Sequence, residues 1–258
     1  MYYYIYDSFL NDKKYEMTLY RVENRLMDLG INGKIEKLTL LKSFKEVVEQ
    51  AVKNNAETLV VVGNDKTISK VISFLPNYSL ILGIIPIGTD NKIAEILGIP
   101  MAEKACDVLS SRIIERIDLG KVNNNYFISC LEIPAKQEVT LECEGYNICP
   151  LNSSRMISIC NFGNIFRTQN FQHEKIYNPK DGVLEAVIAS EPAGRGLFKI
   201  FQKQYNKESV FPIKKIKIKS FKECLPVIAD GEMVVKTPVT VEVVPRKLKI
   251  IVGKNRMF

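Results

Sequence analysis

The sequence predicts an α/β protein: a doubly wound parallel sheet in the N-terminal half, followed by an antiparallel, β-sandwich-like domain. Three observations point there. Through roughly the first 110 residues, apolar runs alternate with segments whose apolar residues recur every three or four positions. Leu59 to Val62 is an unbroken apolar run, as a strand covered by helices on both faces requires. From Ile117 the texture shifts to short runs of alternating polarity separated by turn residues.

The elements follow in order. Tyr2 to Tyr6 is an aromatic opening strand. Tyr15, Leu19, Val22, Leu26 and Leu29 then share one helical face, stopped by Gly30. Phe44, Val47, Val48, Ala51 and Val52 mark a second helix, and strand Leu59 to Val62 follows it. The pattern repeats with helix Ile68 to Leu75, strand Leu80 to Ile85, helix Lys92 to Leu97 closed by Gly98, and a helix around Met101 to Leu109. In the second half the spacing predicts strands at Tyr126 to Leu131, Val139 to Glu144, Met156 to Cys160, Val183 to Ala189 and Val239 to Val244. Turns are expected at Asn123-Asn124-Asn125, Asp181-Gly182 and Asp230-Gly231. No repeat or long linker interrupts the chain, so the domains are placed at 1–118 and 119–258.

Composition narrows the function classes. With 258 residues, 46% apolar and 25% charged, the chain can bury a core, which sets disorder aside. No apolar run approaches the roughly 18 to 20 residues of a membrane span, and MYYYIYDSFLND does not read as a signal peptide, so a cytoplasmic protein is expected. The six cysteines form no CxxC pair and read as small core residues; His173 has no metal-spaced companion and reads as a surface histidine. The net charge of +7 favours phosphate-bearing partners. Its densest segment, Ile213 to Lys222, puts Ile216, Ile218 and Ser220 on one side of a strand and Lys215, Lys217 and Lys219 on the other. A solvated face or guarded edge strand is the first reading and a membrane-facing patch the second. Nucleic acid ranks last, because aromatic residues suited to stacking bases are missing from the patch. No GxxxxGK[ST], GxGxxG or GxSxG occurs, and Gly194-Arg195-Gly196 lacks a third glycine.

Two strand-to-helix turns stand out: GNDKT (Gly63 to Thr67) and PIGTDN (Pro86 to Asn91). Both fall at the carboxyl ends of neighbouring predicted strands, where open α/β sheets bind ligands and helix N-termini offer amides to phosphate. Taken singly, each also reads as an ordinary turn or helix cap.

Together the turns resemble the diacylglycerol kinase catalytic-domain family of bacterial lipid kinases, related more distantly to sphingosine and NAD kinases. That family carries GGDGT, then PxGTxN followed by LGIP, then a distal DGE; here GNDKT, PIGTDNKIAEILGIP and Asp230-Gly231-Glu232 occur in that order. Further likeness lies in IDLG at Ile117 to Gly120, in Asn161 with Gly163, in NPKDGVL at Asn178 to Leu184, and in the ending VTVEVVPRKLKIIV. The resemblance implies γ-phosphoryl transfer from ATP to a lipid hydroxyl with Mg2+, in a cleft between two domains, with the tail from about residue 246 returning to the first domain. It implies nucleotide contacts by Gly63, Asn64, Lys66 and Thr67 and by Gly88, Thr89 and Asn91. Asp230 is then the first choice of base for the lipid hydroxyl, Asp65 its rival, and Glu232 the Mg2+ ligand. Partners would be a lipid substrate at an anionic membrane surface, reached peripherally from the cytoplasm, and a second copy of the chain in a homodimer.

The departures sit mainly in the nucleotide loop. Asn64 and Lys66 replace glycines, so either the loop differs locally or Lys66 holds an ordinary φ. Its ammonium then either contacts phosphate or fills the phosphate's space. The first loop reads YDSFLND where the family has Asn-Pro and glycine, and Phe166 to His173 replaces a glycine-rich run. A catalytically weak or inactive nucleotide- or lipid-binding regulator is therefore the second reading. A NAD-kinase-like or small-alcohol kinase is the third.

Overall fold

The computed structural model describes residues 1–39, 42–134, 138–149, 155–163, 176–190, 209–221 and 224–258. Phe166 to His173, Gly194 to Gly196 and Lys222 lie outside the described residues. The chain divides into two compact units, Met1–Leu119 with Pro245–Phe258, and Gly120–Val244.

The first unit runs β1 (Tyr2–Tyr6), α1 (Glu16–Asp28), β2 (Lys34–Lys37), α2 (Phe44–Lys53), β3 (Thr58–Gly63), α3 (Asp65–Ile72), β4 (Ile81–Pro86), α4 (Lys92–Ile96), α5 (Glu103–Ser111) and the start of β5 (Ile114–Val122). The second holds β6 (Asn125–Phe127), β7 (Cys130–Ile133), β8 (Val139–Cys143), β9 (Tyr146–Ile148), β10 (Arg155–Cys160), β11 (Leu184–Ser190), β12 (Ser209–Ile213), β13 (Lys215–Ser220), β14 (Pro226–Ala229) and β15 (Met233–Lys236). The last strand, β16 (Val239–Ile251), begins in the second unit and ends in the first.

In the first unit β2, β1, β3 and β4 are parallel neighbours in that order, and Lys249 and Ile250 of β16 extend the set beside Ile81 and Leu82 of β4. Every residue of β3 and β4 is buried, as their apolar runs demand. Gly83 makes room for a helix: a Cβ there would stand 2.6 Å from a Leu109 methyl of α5. The strand β2, KIEK, is exposed except at Glu36, so it carries no apolar pattern to read; backbone pairing with β1 alone defines it.

The tail seats firmly. Val252, Gly253 and Met257 donate their amides to the carbonyls of Ile113, Leu97 and Ile96, each at 2.9 Å. At Gly253 the backbones nearly touch, since a Cβ would lie 1.8 Å from the Gly98 carbonyl oxygen.

The second unit is antiparallel. Its six-stranded sheet runs β12-β11-β10-β7-β14-β15, and β13 pairs with β8 on one side and with Val239 to Glu242 of β16 on the other. Leu131, Ile157, Ile159 and Ala186 from the first sheet share one apolar core with Leu141, Ile216, Ile218 and Val241 from the second. The strand β13 is therefore central, not an edge. Its lysines do face outward, and two are paired, Lys219 with Glu142 (2.7 Å) and Lys215 with Glu242 (3.8 Å). Cysteines divide differently from expectation: Cys106, Cys130 and Cys160 are buried, whereas Cys149 and Cys224 are exposed. Among the described residues no helix is long and apolar enough to cross a membrane.

Gly253→Ala should destabilise the chain by about 2 kcal/mol, because its methyl has only a backbone carbonyl to displace. Urea unfolding measures this, and an unchanged midpoint would show that the tail seats otherwise.

Candidate functional site

The first corner grows from the end of β1. The Asp7 amide donates to the Val62 carbonyl (3.1 Å), placing the Asp7 carboxylate beside the start of α3. One oxygen accepts the Thr67 hydroxyl at 2.7 Å; the other accepts the Ser8 hydroxyl and, at 3.4 Å, the Phe9 amide. Asn64 and Thr67 form a reciprocal cap, Asn64 Oδ1 accepting the Thr67 amide and Thr67 Oγ1 accepting the Asn64 amide. Gly63 is required by space: a Cβ would meet Thr67 Oγ1 at 2.5 Å. Neither altered glycine position is left-handed, since Asn64 has φ −112° and Lys66 lies within α3. Lys66 thus holds an ordinary helical φ, and it is exposed at the second position of the helix.

The second corner is fastened to the first by Asp65. Its carboxylate accepts the amides of Lys92 (2.7 Å) and Ile93 (3.0 Å), and its own amide donates to the Asp90 carbonyl (2.9 Å). Asn91, the N-cap of α4, gives that helix no side-chain cap, so Asp65 supplies one from another element. Asp65 is 2% exposed. With an amide of α4 on each oxygen, Asp65 braces the second corner against the first.

The rest of the second corner is more open. Gly88 has φ 94°, and the space its Cβ would enter borders the Phe9 ring edge at 3.2 Å. Phe9 in turn packs edge-on against Tyr15, centroids 5.5 Å apart. Thr89 is exposed, its hydroxyl 3.2 Å from Asp90 Oδ2. The Asn91 side-chain amide donates to the Gly88 carbonyl at 2.9 Å, while its Oδ1 is buried without a hydrogen-bond partner. Gly63, Asn64, Asp65, Lys66, Thr67, Gly88, Thr89 and Asn91 thus stand at two corners that share direct hydrogen bonds.

In the second unit Asp230 occupies a nest of amides. Its carboxylate accepts the N–H groups of Ile128 (2.8 Å), Ser129 (2.8 Å) and Cys130 (3.1 Å). This explains why the single strand expected over Tyr126 to Leu131 is two: the amides between β6 and β7 turn to a carboxylate. Asn161 donates its side-chain amide to the Ile128 carbonyl (2.9 Å), and the Ser129 hydroxyl donates to the Gly163 carbonyl (2.7 Å), so three turns close around Asp230. Asp230-Gly231 also lies in a hairpin turn, since Ala229 pairs with Met233 across Asp230, Gly231 and Glu232, and the first two of these have positive φ. Burial pushes the Asp230 carboxyl up to about 6, against the three amides that hold it lower. Glu232, two residues on, is half-buried. Among the described residues no three His, Cys, Asp or Glu side chains come together as a metal site.

Sequence reasoning missed Asp7 and Ser129 as parts of the site. An Asp directly after an apolar strand, followed by Ser-Phe, is a cap signal that could have marked Asp7. Nothing local marks Ser129, whose role depends on a carboxylate 101 positions away.

Comparison with known proteins agrees with this layout. Residues 2–122 match the family model for the diacylglycerol kinase catalytic domain, and residues 176–252 match that for the YegS C-terminal NAD kinase beta sandwich-like domain. A diacylglycerol kinase of Bacillus subtilis (strain 168) is 28% identical over 129 residues, 48% of this chain and 43% of its own length. A diacylglycerol kinase of Staphylococcus aureus (strain JH9) is 36% identical over 85 residues, 31% of this chain and 27% of its own. The matched region thus spans less than half of each of these two relatives. A crystal structure of a diacylglycerol kinase from Bacillus anthracis str. Sterne shares the fold with a TM-score of 0.78 at 18% identity, covering 99% of this chain and 98% of that one.

Asp65→Ala should cost about 2 kcal/mol in urea unfolding, by leaving two helix-terminal amides unpaired. Asp230 should titrate with a midpoint near pH 6, read from its carboxyl 13C shift. Because its folded pKa lies above the unfolded one, its protonation stabilises the fold fully below the unfolded carboxylate range, and that contribution is lost as pH rises through about 6. A midpoint near 4 would contradict the desolvated environment.

Proposed function

The chain belongs to the diacylglycerol kinase catalytic-domain family, and from that premise we propose that it transfers the γ-phosphoryl group of ATP to the hydroxyl of diacylglycerol or a related lipid alcohol. The observation that carries this reading is the fastening of two corners by Asp65, which holds Lys66, Gly88 and Thr89 at the carboxyl ends of adjacent parallel strands. Phosphoryl transfer needs positioning and charge neutralisation more than covalent help.

The residues divide the work. The Lys66 ammonium, beside the start of α3, would neutralise phosphate charge, and Gly88 would let backbone approach the nucleotide. Thr89 and Asn91 supply polar groups at the same corner. Asp230 would take the proton of the lipid hydroxyl. A carboxylate has about four lone-pair sites, and three amides leave it one, with a pKa near 6 suited to proton transfer around neutrality. Mg2+ sites commonly use one or two carboxylates together with substrate phosphates, so Glu232 would be the carboxylate offered to the ion, and a cage of protein side chains is not required. When bound, the ion offsets the charge on the phosphates. The reading places the protein at the cytoplasmic face of an anionic membrane.

A second reading, a catalytically inactive nucleotide- or lipid-binding regulator, is favoured by one feature of the first corner. The amides of Asp65 and Thr67 are spent on Asp90 and Asn64 within the protein, so this corner offers phosphate fewer donors than a glycine-rich loop.

Incubation of the full chain with labelled ATP, Mg2+ and anionic vesicles containing diacylglycerol should yield labelled lipid. Glu232→Gln and Asp230→Asn should each lower the rate by about a hundredfold or more, with folding checked by thermal unfolding. Stabilisation by ATP without any labelled lipid would support the regulator instead. In either case Lys66→Gly should weaken ATP binding; tighter binding would show that the side chain obstructs the phosphates.

A further inference from the structure

At the opposite end of the first unit's sheet, the segment PNYSL before β4 meets the PRKLK segment of β16. Along β16 the side chains of Leu248 and Ile250 enter the core, so Lys247 and Lys249 share the other face. Arg246 precedes them in a left-handed conformation (φ 51°), its amide fixed on the buried Asp118 carboxylate at 2.7 Å. Arg116 reaches the same place from β5. These segments enclose a cavity of about 230 Å3 whose lining includes Tyr78, Ser79, Arg116, Arg246, Lys247 and Lys249, and no carboxylate.

The charge there is largely uncompensated. Three arginines elsewhere in the unit are paired, Arg25 with Asp107, Arg112 with Glu57 and Arg256 with Glu115. Arg116, Arg246 and Lys249 make no ion pair among the described residues. Two carboxylates reach lining residues without belonging to the lining: Glu49 accepts the Tyr78 hydroxyl at 3.3 Å, and Asp118 accepts the Arg246 amide. Gathering Arg116, Arg246 and Lys249 around one concavity without an ion pair is unfavourable until a multivalent anion enters it. Arginines offer such an anion forked donors and lysines point charges.

We propose that this cavity is a binding site for a phosphate-bearing anion, separate from the nucleotide corners. It lies before β4 and the corners lie after it, and a six-residue strand sets them about 20 Å apart. The volume falls below that of pockets for drug-sized ligands, which suits a phosphomonoester headgroup or free phosphate. The site is independent of the phosphoryl transfer proposed above and stands whether or not turnover occurs.

The test titrates the full chain with inorganic phosphate while the amide NMR signals of Tyr78, Ser79 and Lys249 are followed. In parallel, the chain is floated with phosphatidylcholine vesicles with and without phosphatidic acid. Saturable shifts at those amides are expected, weakened at least about tenfold in Arg116→Gln/Lys249→Gln. A charge-matched control on the exposed face of β13, Lys215→Gln/Lys217→Gln, should leave them unchanged. Flotation with phosphatidic acid that inorganic phosphate competes away identifies a lipid headgroup as the source; saturation by inorganic phosphate without flotation identifies a free anion. No saturation by either probe, or equal sensitivity of the two charge pairs, overturns the site.

Discussion

The carboxylate of Asp65 is the constraint on which the first unit's site depends. It is withdrawn from water, yet it is not an isolated buried charge: two amides at the start of α4 face it, where the helix dipole also favours an anion. The adjoining amide binds the other corner's backbone at Asp90, so the two turns are tied in both directions. Asp7 adds β1 to the arrangement through the Thr67 hydroxyl. Three consecutive strand ends of the sheet are thereby locked by side chains rather than left as independent loops. A site that must hold a flexible polyanion in one pose needs such preorganisation, because each freely moving contact would lose conformational entropy on binding.

Asp230 solves a similar problem with a different balance. Its partners are two loop amides and the first amide of β7, without a helix behind them, and burial outweighs their pull, so its proton affinity rises. Asp65 therefore serves as a fixed brace and Asp230 as a group able to change protonation near neutrality. Two buried acids, both met by backbone amides, thus sit in different surroundings. In the sequence alone, Asp230 is the first choice of base and Asp65 its rival.

Much of the fold was legible. The apolar runs of β3 and β4 and the helical spacing of α1 and α2 carry their own signals, because burial on both faces or on one stripe leaves a pattern in the residues themselves. The strand β2 was not legible, because KIEK is mostly exposed and its conformation is dictated by β1. The division of Tyr126 to Leu131 was hidden for a related reason: the pattern suits one strand, but a distant carboxylate claims the amides in its middle. Lysine in a glycine position implied either a locally changed loop or an ordinary φ at Lys66. The resolution is that α3 begins one residue after the strand, which gives Lys66 a helical backbone and makes Asn64 its cap. The turn residues were thus identifiable, but which amides each carboxylate holds depends on partners that no local spacing encodes.

The placement of residues 245–258 with residues 1–119 also bears on how the chain matures. During synthesis from the amino end, β4 emerges long before β16 and shows an unpaired edge to its surroundings. The intervening unit, contiguous from Gly120 to Val244, can collapse on itself in the meantime. Only when Lys249 and Ile250 have left the ribosome can β4 gain the neighbour that flanks it. The half translated first is the half completed last, so its exposed edge is where chaperones or stray strands have their opportunity.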